Sequence, residues 1–262
     1  MTTPQRPIEI GLNAAIVAVA GRQPQILVVH DDMLPFGPFD PVAHRTFETG
    51  LRAWVAEQTA LRLGYAEQLY TFGDRGRHAE PGDTGPHRVS VGYLALTRTE
   101  EEDPEQLERA GARWRKWYDF FPWEDWRDGR PVILDELILP ALAEWAKGRD
   151  VVPRPLGRPE RVRLAFGTDG TPWDEERALD RYELLYHAGL VAEAGRDGRP
   201  VLDGAVAAAT GIAMRYDHRR ILATAISRLR AKLKYRPVVF ELMADEFTLT
   251  ELQQAVEAIS GR

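Results

Sequence analysis

Hydrophobic and polar positions alternate along this chain with two different periods. Residues 8–20 and 25–30 are rich in Ile and Val and read as strands, with Gly21-Arg22 at the turn between them. Residues 44–61 switch to helical spacing. Phe47, Leu51, Trp54 and Val55 share one face, the last three lying four, seven and eight positions after the first. Residues 66–72 and 88–98 return to strand. The stretch between them, 75–87, is polar and holds three glycines and two prolines, so it reads as a loop. Residues 99–108 form an acidic surface segment, and the aromatic stretch 113–120 is expected to be the last major strand. Strands around a helix at this length predict an α/β/α sandwich.

The second half is helical by pattern. Residues 135–147 place Leu139, Leu142 and Ala146 on one face, and Pro140 kinks that helix or marks its true start. The tract VVPRPLGRP at 151–159 holds three prolines and is expected to be irregular. It opens an inserted segment, residues 148–211. Within it a helix is expected over 171–189, with Pro172 in its first turn and Gly189 at its end. A hairpin turn is expected at Gly195 to Gly198. The segment is expected to pack against the preceding domain or another subunit. Residues 217–235 form a long helix with Asp217 as candidate N-cap and a buried stripe of Ile221, Leu222, Ala225, Ile226, Leu229 and Leu233. Thr248 and Glu251 make a capping box for a last helix over 248–259, with Leu252, Val256 and Ile259 on one face. Three units are expected: 1–147, 148–211 and 212–262.

Composition narrows the class. The 262 residues are 44% hydrophobic and 28% charged, as in folded soluble domains. The absence of cysteine excludes disulfides and thiolate metal sites. A net charge of −6 excludes a wholly basic nucleic-acid coat but leaves room for a local basic face. The first residues lack an apolar core flanked by basic residues, and the apolar run 14–20 is too short to span a bilayer. The expectation is a cytoplasmic protein with no membrane partner.

Residues 34–74, LPFGPFDPVAHRTFETGLRAWVAEQTALRLGYAEQLYTFGD, resemble a Nudix box that has lost its chemistry. The signature is G-x5-E-x7-R-E-U-x-E-E-x-G-U, with U a bulky aliphatic. Ala53 and Trp54 stand where Arg and Glu belong, Val55 fits, Glu57 is kept, Gln58 replaces the next Glu, Ala60 replaces Gly and Leu61 fits. The loop from Gly37 to the helix is two residues longer than the signature allows. In Nudix hydrolases these carboxylates hold magnesium, a hard cation that takes oxygen ligands and bridges a pyrophosphate. One carboxylate and one amide cannot replace three carboxylates. The resemblance therefore implies a ligand-binding domain derived from an enzyme, with no catalytic residues and no cofactor; magnesium enters only if residual hydrolysis persists.

The C-terminal sequence YDHRRILATAISRLRAKLKYRPVVFELMADEFTLTELQQAVEAISG resembles the Nudix-related transcriptional regulators of NAD metabolism, in particular an alphaproteobacterial branch. The carrying motifs are R-L-R-x-K-L-x-Y-x-P at 228–237 and F-T-L-x-x-L-Q at 247–253, together with EQLYTFGD at 67–74. The resemblance implies a repressor of NAD biosynthesis or salvage genes. ADP-ribose or a related NAD breakdown product would bind the Nudix domain and release a double-stranded operator from a homodimer, since such operators are palindromic. It also implies a C-terminal winged helix-turn-helix. The sequence stops at Ser260-Gly261-Arg262, where a recognition helix and wing would follow, so the winged helix is read as incomplete and the chain as a piece of a longer product.

The candidate site residues follow from these motifs. In the GDRGR run, Arg75 and Arg77 could meet phosphate oxygens with fork geometry and close backbone approach, with Asp74 beside them as a further candidate ligand contact, or the run could simply line a polar loop. Glu57 could touch a ligand or stay a solvated helix carboxylate. His44, beside Arg45, falls where the first Glu of the box would lie. Trp54 could stack on an adenine but sits on the apolar helix face and reads as core. His78 and His87 flank the loop without a third metal ligand. For DNA, Arg228, Arg230, Lys232, Lys234 and Arg236 carry five positive charges with no acid among them, and Thr248, Thr250 and Gln253 start the next helix. Two other functions stay open. One is an active Nudix hydrolase that releases AMP, with Glu57 helped by Glu48 or Glu67. The other is a sensor or protein-interaction module that does not bind DNA.

Overall fold

Period-two alternation in the first strand divides the interior into two halves. The computed structural model describes residues 7–74, 77, 85–98 and 104–262. Strands β1 (Ile8–Ala20), β2 (Gln23–Val29), β3 (Phe36–Pro38), β4 (Ala66–Phe72), β5 (His87–Leu96) and β6 (Ala112–Lys116) form one mixed sheet in the order β4-β5-β1-β2-β6, with β3 paired to β1. β1 and β5 run parallel, from Ile8 opposite His87 to Val17 opposite Leu96, and the other pairings are antiparallel. Successive side chains of a strand point to opposite faces. Leu12, Ala14 and Ile16 accordingly join Leu51 and Val55 of helix α1 (Phe47–Thr59), while Ala15 and Val17 face the helical second half of the chain. The fold is Nudix-like, a mixed sheet with helices on both faces.

Several predicted elements shift, each for a local reason. α1 begins at Phe47 because Thr46 caps it: the Thr46 hydroxyl accepts from the Thr49 N–H at 3.2 Å, and the Thr46 N–H donates to the Thr49 hydroxyl at 3.0 Å. Part of the acidic stretch 99–108 lies outside the described residues; the rest enters a short helix, α2 (Pro104–Arg109). The strand expected over 113–120 ends at Lys116. Trp117, Tyr118, Phe120 and Phe121 are all buried, which strict alternation cannot achieve, so the chain tightens into 3-10 turns at Trp117–Asp119 and Pro122–Glu124. Pro140 lies early in α3 (Leu139–Ala146). A π turn over Leu134–Ile138 leads into it, with the Leu139 N–H reaching back to the Leu134 carbonyl. This widened turn precedes a residue that has no N–H to give.

The inserted segment is all helical among the described residues: α4 (Arg158–Phe166), α5 (Ala178–Ala188), α6 (Ala192–Arg196) and α7 (Gly204–Ala209). The proline tract is not wholly irregular, since Arg158 and Pro159 begin α4, where a first-turn proline loses no hydrogen bond. Pro172 precedes its helix rather than entering it; Asp174 caps a 3-10 turn through the Glu176 N–H at 3.0 Å, and α5 follows. Gly189 ends α5 as expected, at φ +71°, and a Cβ there would lie 2.2 Å from the Pro200 carbonyl oxygen. The hairpin expected at 195–198 does not form. The alanine-rich turn is α6, and Pro200 has no N–H for a strand ladder.

α8 (His218–Leu233) packs across the sheet, and α9 (Leu249–Ser260) packs on α8 and β2. Asp217 sits at the N-cap position of α8, but its carboxylate makes no capping bond. Leu233 is only half-buried, whereas the rest of the predicted stripe is fully buried. α9 buries Ala255, Ala258 and Ile259 and leaves Val256 exposed, because the two alanines allow close approach. Among the described residues no helix is long and apolar enough to cross a membrane.

Two buried ionic clusters tie these parts together. Glu124 is 1% exposed and accepts from Arg181 at 2.5 and 2.8 Å and from Arg230 at 2.5 Å. The remaining guanidinium N–H groups reach backbone carbonyls of Ala165, Asp174, Glu175 and Ile259. Burial opposes ionisation of Glu124, but the two arginines outweigh it and hold the carboxyl below its usual range. In the second cluster Glu193 accepts from Arg219 at 3.1 Å and from the Met214 N–H at 3.0 Å, and Arg219 also donates to the Phe120 carbonyl at 3.0 Å. Substitution Glu124→Gln should leave two buried guanidinium groups without a counter-charge and cost about 3–5 kcal/mol at neutral pH by urea denaturation. The depressed pKa makes this stabilisation fully present above about pH 4.3 and lost as pH falls below it, so the gap between wild type and variant should narrow in acid. An equal gap at both pH values would show that Glu124 does not carry it.

Candidate functional site

The helix that resembles a Nudix box uses its polar residues to hold its own strand. The Gln58 side chain accepts from the Phe36 N–H at 3.0 Å and donates to the Phe36 carbonyl at 2.6 Å, so one amide closes both backbone groups of a residue in β3. Trp54 lies flat against Gly37, where an added Cβ would sit 2.2 Å from the indole, and its N–H donates to the Pro38 carbonyl at 2.9 Å. Trp54 is thus half-buried packing over β3. Glu57 is exposed. His44 packs over Gly50 and beside Phe39, with its buried Nδ1 unpartnered.

Magnesium needs several converging oxygen ligands. Glu48 is held by Arg52 at 2.9 Å, and Glu67 lies against Lys232 and accepts from the Tyr65 hydroxyl at 2.5 Å. Gln58 is committed to Phe36. Among the described residues no three His, Cys, Asp or Glu side chains converge. The described residues of the box do not fit a magnesium site.

A second polar group assembles where β4 ends, beside α5 and α8. Arg77 is buried and forms a two-pronged pair with Glu183, at 2.8 and 3.1 Å, with its guanidinium carbon 3.7 Å from the centre of the Tyr186 ring. Asp217 lies 3.8 Å from Arg77 and 3.1 Å from Arg220. Arg220 also pairs with Glu183 at 2.5 Å and with Asp74. Burial opposes the charge on Arg77, but Glu183 and Asp217 raise its pKa above the usual value. The group sets two cations against three carboxylates. Asp217 is 3% exposed, and burial lifts its pKa to about 6 against the pull of Arg77 and Arg220. Of the predicted ligand contacts in this run, Asp74 and Arg77 thus meet in one ion-pair network, while Arg75 lies outside the described residues, as does His78 of the same loop.

Between these two groups stands a corner that the motif reading missed. Tyr216 adopts φ +55°, a left-handed conformation that is strained for a bulky residue. Its ring lies 5.7 Å from that of Phe36 and 5.5 Å from that of His218, and the Arg88 guanidinium carbon is 5.5 Å from its centre. The His218 Nδ1 accepts from the Leu34 N–H at 3.0 Å, which fixes the ring against the approach to β3. Phe36, Tyr216 and Arg88 are each partly exposed, so the corner offers an aromatic surface beside a cation. Its members come from β3, β5 and the residue pair before α8. No local spacing joins them, and only the cluster Tyr216-Asp217-His218 hinted at it.

The C-terminal basic residues divide. Arg228, Lys234 and Arg236 are exposed, whereas Arg230 and Lys232 are buried. Arg230 is enclosed with Glu124, and Lys232 with Glu67 and Tyr65. Two residues turn a helix by about 200°, so Arg230 and Lys232 leave α8 on different sides and are buried by two separate acids, Glu124 and Glu67. Lys234 pairs with Glu175 at 3.0 Å and Glu176 at 2.6 Å, and Arg228 approaches Glu67 at 3.8 Å. The Thr248 hydroxyl is used in its capping box, Gln253 donates to Glu257 at 2.7 Å, and Thr250 is exposed.

Solved structures similar to this chain include NrtR of Shewanella oneidensis complexed with a 27mer DNA, at TM-score 0.51 and 18% identity over 95% of this chain and 75% of that chain. A further crystal structure of the same protein gives TM-score 0.52 and 16% identity over 96% of this chain and 77% of that one. A MutT/nudix family protein from Enterococcus faecalis gives TM-score 0.54 and 14% identity over 100% of this chain and 77% of that one. These likenesses show a Nudix-like fold. Neither a protein-family model nor a curated protein matches the chain.

Two substitutions test the geometry. Gln58→Glu should remove the donor to the Phe36 carbonyl and set a carboxylate against it, destabilising the protein by about 1–3 kcal/mol. Magnesium should not restore the melting temperature; a magnesium-dependent rise would show that the box still assembles a metal site. For Asp217, the folded protein keeps its proton up to about pH 6, whereas the unfolded chain releases it near about pH 3.9. This group's contribution to stability is therefore fully present below about pH 3.9 and lost as pH rises to about 6. Relative to wild type, Asp217→Asn should gain on the order of 3 kcal/mol across that window. Parallel stability–pH curves for the two proteins would refute the assignment.

Proposed function

We propose that this chain is the ligand-sensing part of a DNA-binding transcriptional regulator. Its Nudix-like domain binds ADP-ribose or a related NAD metabolite without hydrolysing it. The observation that carries this reading is the use of Gln58: at a position where a hydrolase needs a metal carboxylate, an amide is locked onto the backbone of Phe36. The corner of Phe36, Tyr216 and Arg88 supplies a stacking surface and a cation, and Asp74 and Arg77 lie in the ion-pair network beside it. The likeness to a regulator solved with DNA spans 95% of this chain, and it supports the regulatory part of the reading.

In this reading Arg236 and Thr250 are exposed groups available to DNA phosphates, while the exposed Arg228 and Lys234 would exchange their contacts with Glu67 and with Glu175 and Glu176 for phosphates, which contribute affinity but no sequence information. The protein acts as a homodimer that represses NAD biosynthesis or salvage genes. Ligand favours the arrangement that binds operator poorly, and by linkage DNA lowers ligand affinity by the same factor.

The test is a calorimetric titration of ADP-ribose into this chain with magnesium present. Saturable heat that returns to baseline after each injection is expected, and Tyr216→Ala should weaken binding about tenfold, the size of one lost stacking contact. Sustained heat after each injection would mean turnover and would overturn the sensor reading in favour of a hydrolase.

A further inference from the structure

Helices α4 and α5 and the tract before α4 line a half-open cavity of about 320 Å³ that no residue discussed above as a ligand or DNA contact requires. That volume lies at the lower end of the range for small-molecule sites. The lining combines the aliphatic Leu156, Leu164 and Leu184 with Arg154, Arg161 and His187, interleaved because Arg161 and Leu164 share a face of α4 and Leu184 and His187 a face of α5. Two acidic residues also reach the cavity, but each is already matched: Asp180 lies 3.4 Å from Arg177, and Glu183 pairs with Arg77 and Arg220.

The arginines are not matched. Asp150 is shared between Arg158, at 2.9 Å, and Arg161, at 2.6 Å. Both guanidinium groups lie over the Trp145 ring, at 4.5 and 5.1 Å. Among the described residues Arg154 has no acidic partner, so one carboxylate faces three arginines. The Arg161 Nε is buried and makes no hydrogen bond. The Arg161 Nη1 donates to the His187 Nδ1 at 3.0 Å, so that imidazole acts as an acceptor and is neutral. Burial, Arg154, Arg161 and Arg199 together push the His187 pKa down to about 4, against the opposing pull of Asp150. A cavity with an excess of fixed positive charge, a desolvated guanidinium and a neutral imidazole is arranged for an anion that is not part of the chain.

We propose that this cavity binds a small phosphate monoester, its dianionic head held by Arg154 and Arg161 and its compact apolar body against Leu156, Leu164 and Leu184. The planar forks of the arginines suit a phosphate. Among the described residues no Phe, Tyr or Trp lines the cavity, and the His187 ring is tied to Arg161, so the site offers no broad stacking surface for a nucleobase. The site is separate from the Nudix-like corner and does not depend on the function proposed for it.

The experiment follows the imidazole protons of His187 by NMR while inorganic phosphate, and then phenyl phosphate, is titrated into the chain at low ionic strength; His187→Gln identifies the signal. A saturable shift is expected, with phenyl phosphate binding more tightly than phosphate alone because of the leucines. Bound ligand should raise the His187 pKa from about 4 by at least one unit, since a nearby anion favours the imidazolium. Arg154→Gln should weaken binding about tenfold or more. Arg154 is exposed, so this variant keeps the fold; Arg161→Gln, which also loses the Asp150 pair, is the second variant. Shifts that do not saturate, or binding unchanged in Arg154→Gln and Arg161→Gln alike, would overturn the site. Because neither probe is ADP-ribose, failure here leaves the sensor reading untouched, and failure of ADP-ribose to bind leaves this site untouched.

Discussion

One buried carboxylate determines how the parts of this chain meet. Glu124 leaves the sheet, Arg181 comes from the inserted segment and Arg230 from the long helix α8, and the three charges are enclosed together. A buried ion pair contributes little net stability, because desolvation offsets most of the attraction, but it tolerates no misplacement. The guanidinium groups also satisfy carbonyls at Ala165, Asp174, Glu175 and Ile259, so the termini of several helices are fixed by the same contacts. With Arg181 held inward, Glu183 is turned by about 200° to the opposite side of α5. There it meets Arg77 and Arg220 and reaches the cavity. The geometry of the polar groups near the sheet thus depends on an ion cluster that none of them touches.

The sheet and α1 were legible because each buries one face against one partner. Alternation in β1 and the spacing of Leu51 and Val55 carry that information locally. The inserted segment was legible only in part. Gly189 announced its helix end through a backbone position where a side chain would collide with Pro200. The start of α4 was hidden in a proline tract, and the short α7 gave no periodic signal. The buried ions were illegible for a different reason. Glu124, Arg181, Arg219 and Arg230 look like surface residues by type, and only long-range partners make their burial tolerable. Arg230 and Lys232 show the same effect within the basic motif: each is buried because a distant acid, Glu124 or Glu67, meets it, which no local spacing announces.

The box helix shows how a site can lose a metal set yet keep its scaffold. A carboxylate at position 58 would accept from the Phe36 N–H but could not donate to the Phe36 carbonyl; an amide does both. Trp54 and Gly37 complete the closure, since the indole occupies the volume that any side chain at 37 would need. Strand and helix are joined more firmly by these residues than by hydrated carboxylates that await a cation.

The same contacts give the proposed sensor a physical route to its C-terminal helices. Tyr216 and Asp217 stand immediately before α8, and Tyr216 is held in a strained conformation against Phe36. A ligand stacked on that ring acts on the first turn of a helix whose middle is buried and whose last turn leads to the exposed cations Lys234 and Arg236. A rigid, buried helix does not absorb a displacement at its start; it shifts or it holds. Two arrangements of α8 that differ in their fit to ligand suffice for linkage, and the coupling is bounded by the difference in ligand affinity between them. The ion pairs of Arg220 with Asp74, Glu183 and Asp217 sit at that same end and are the contacts that must rearrange if α8 moves.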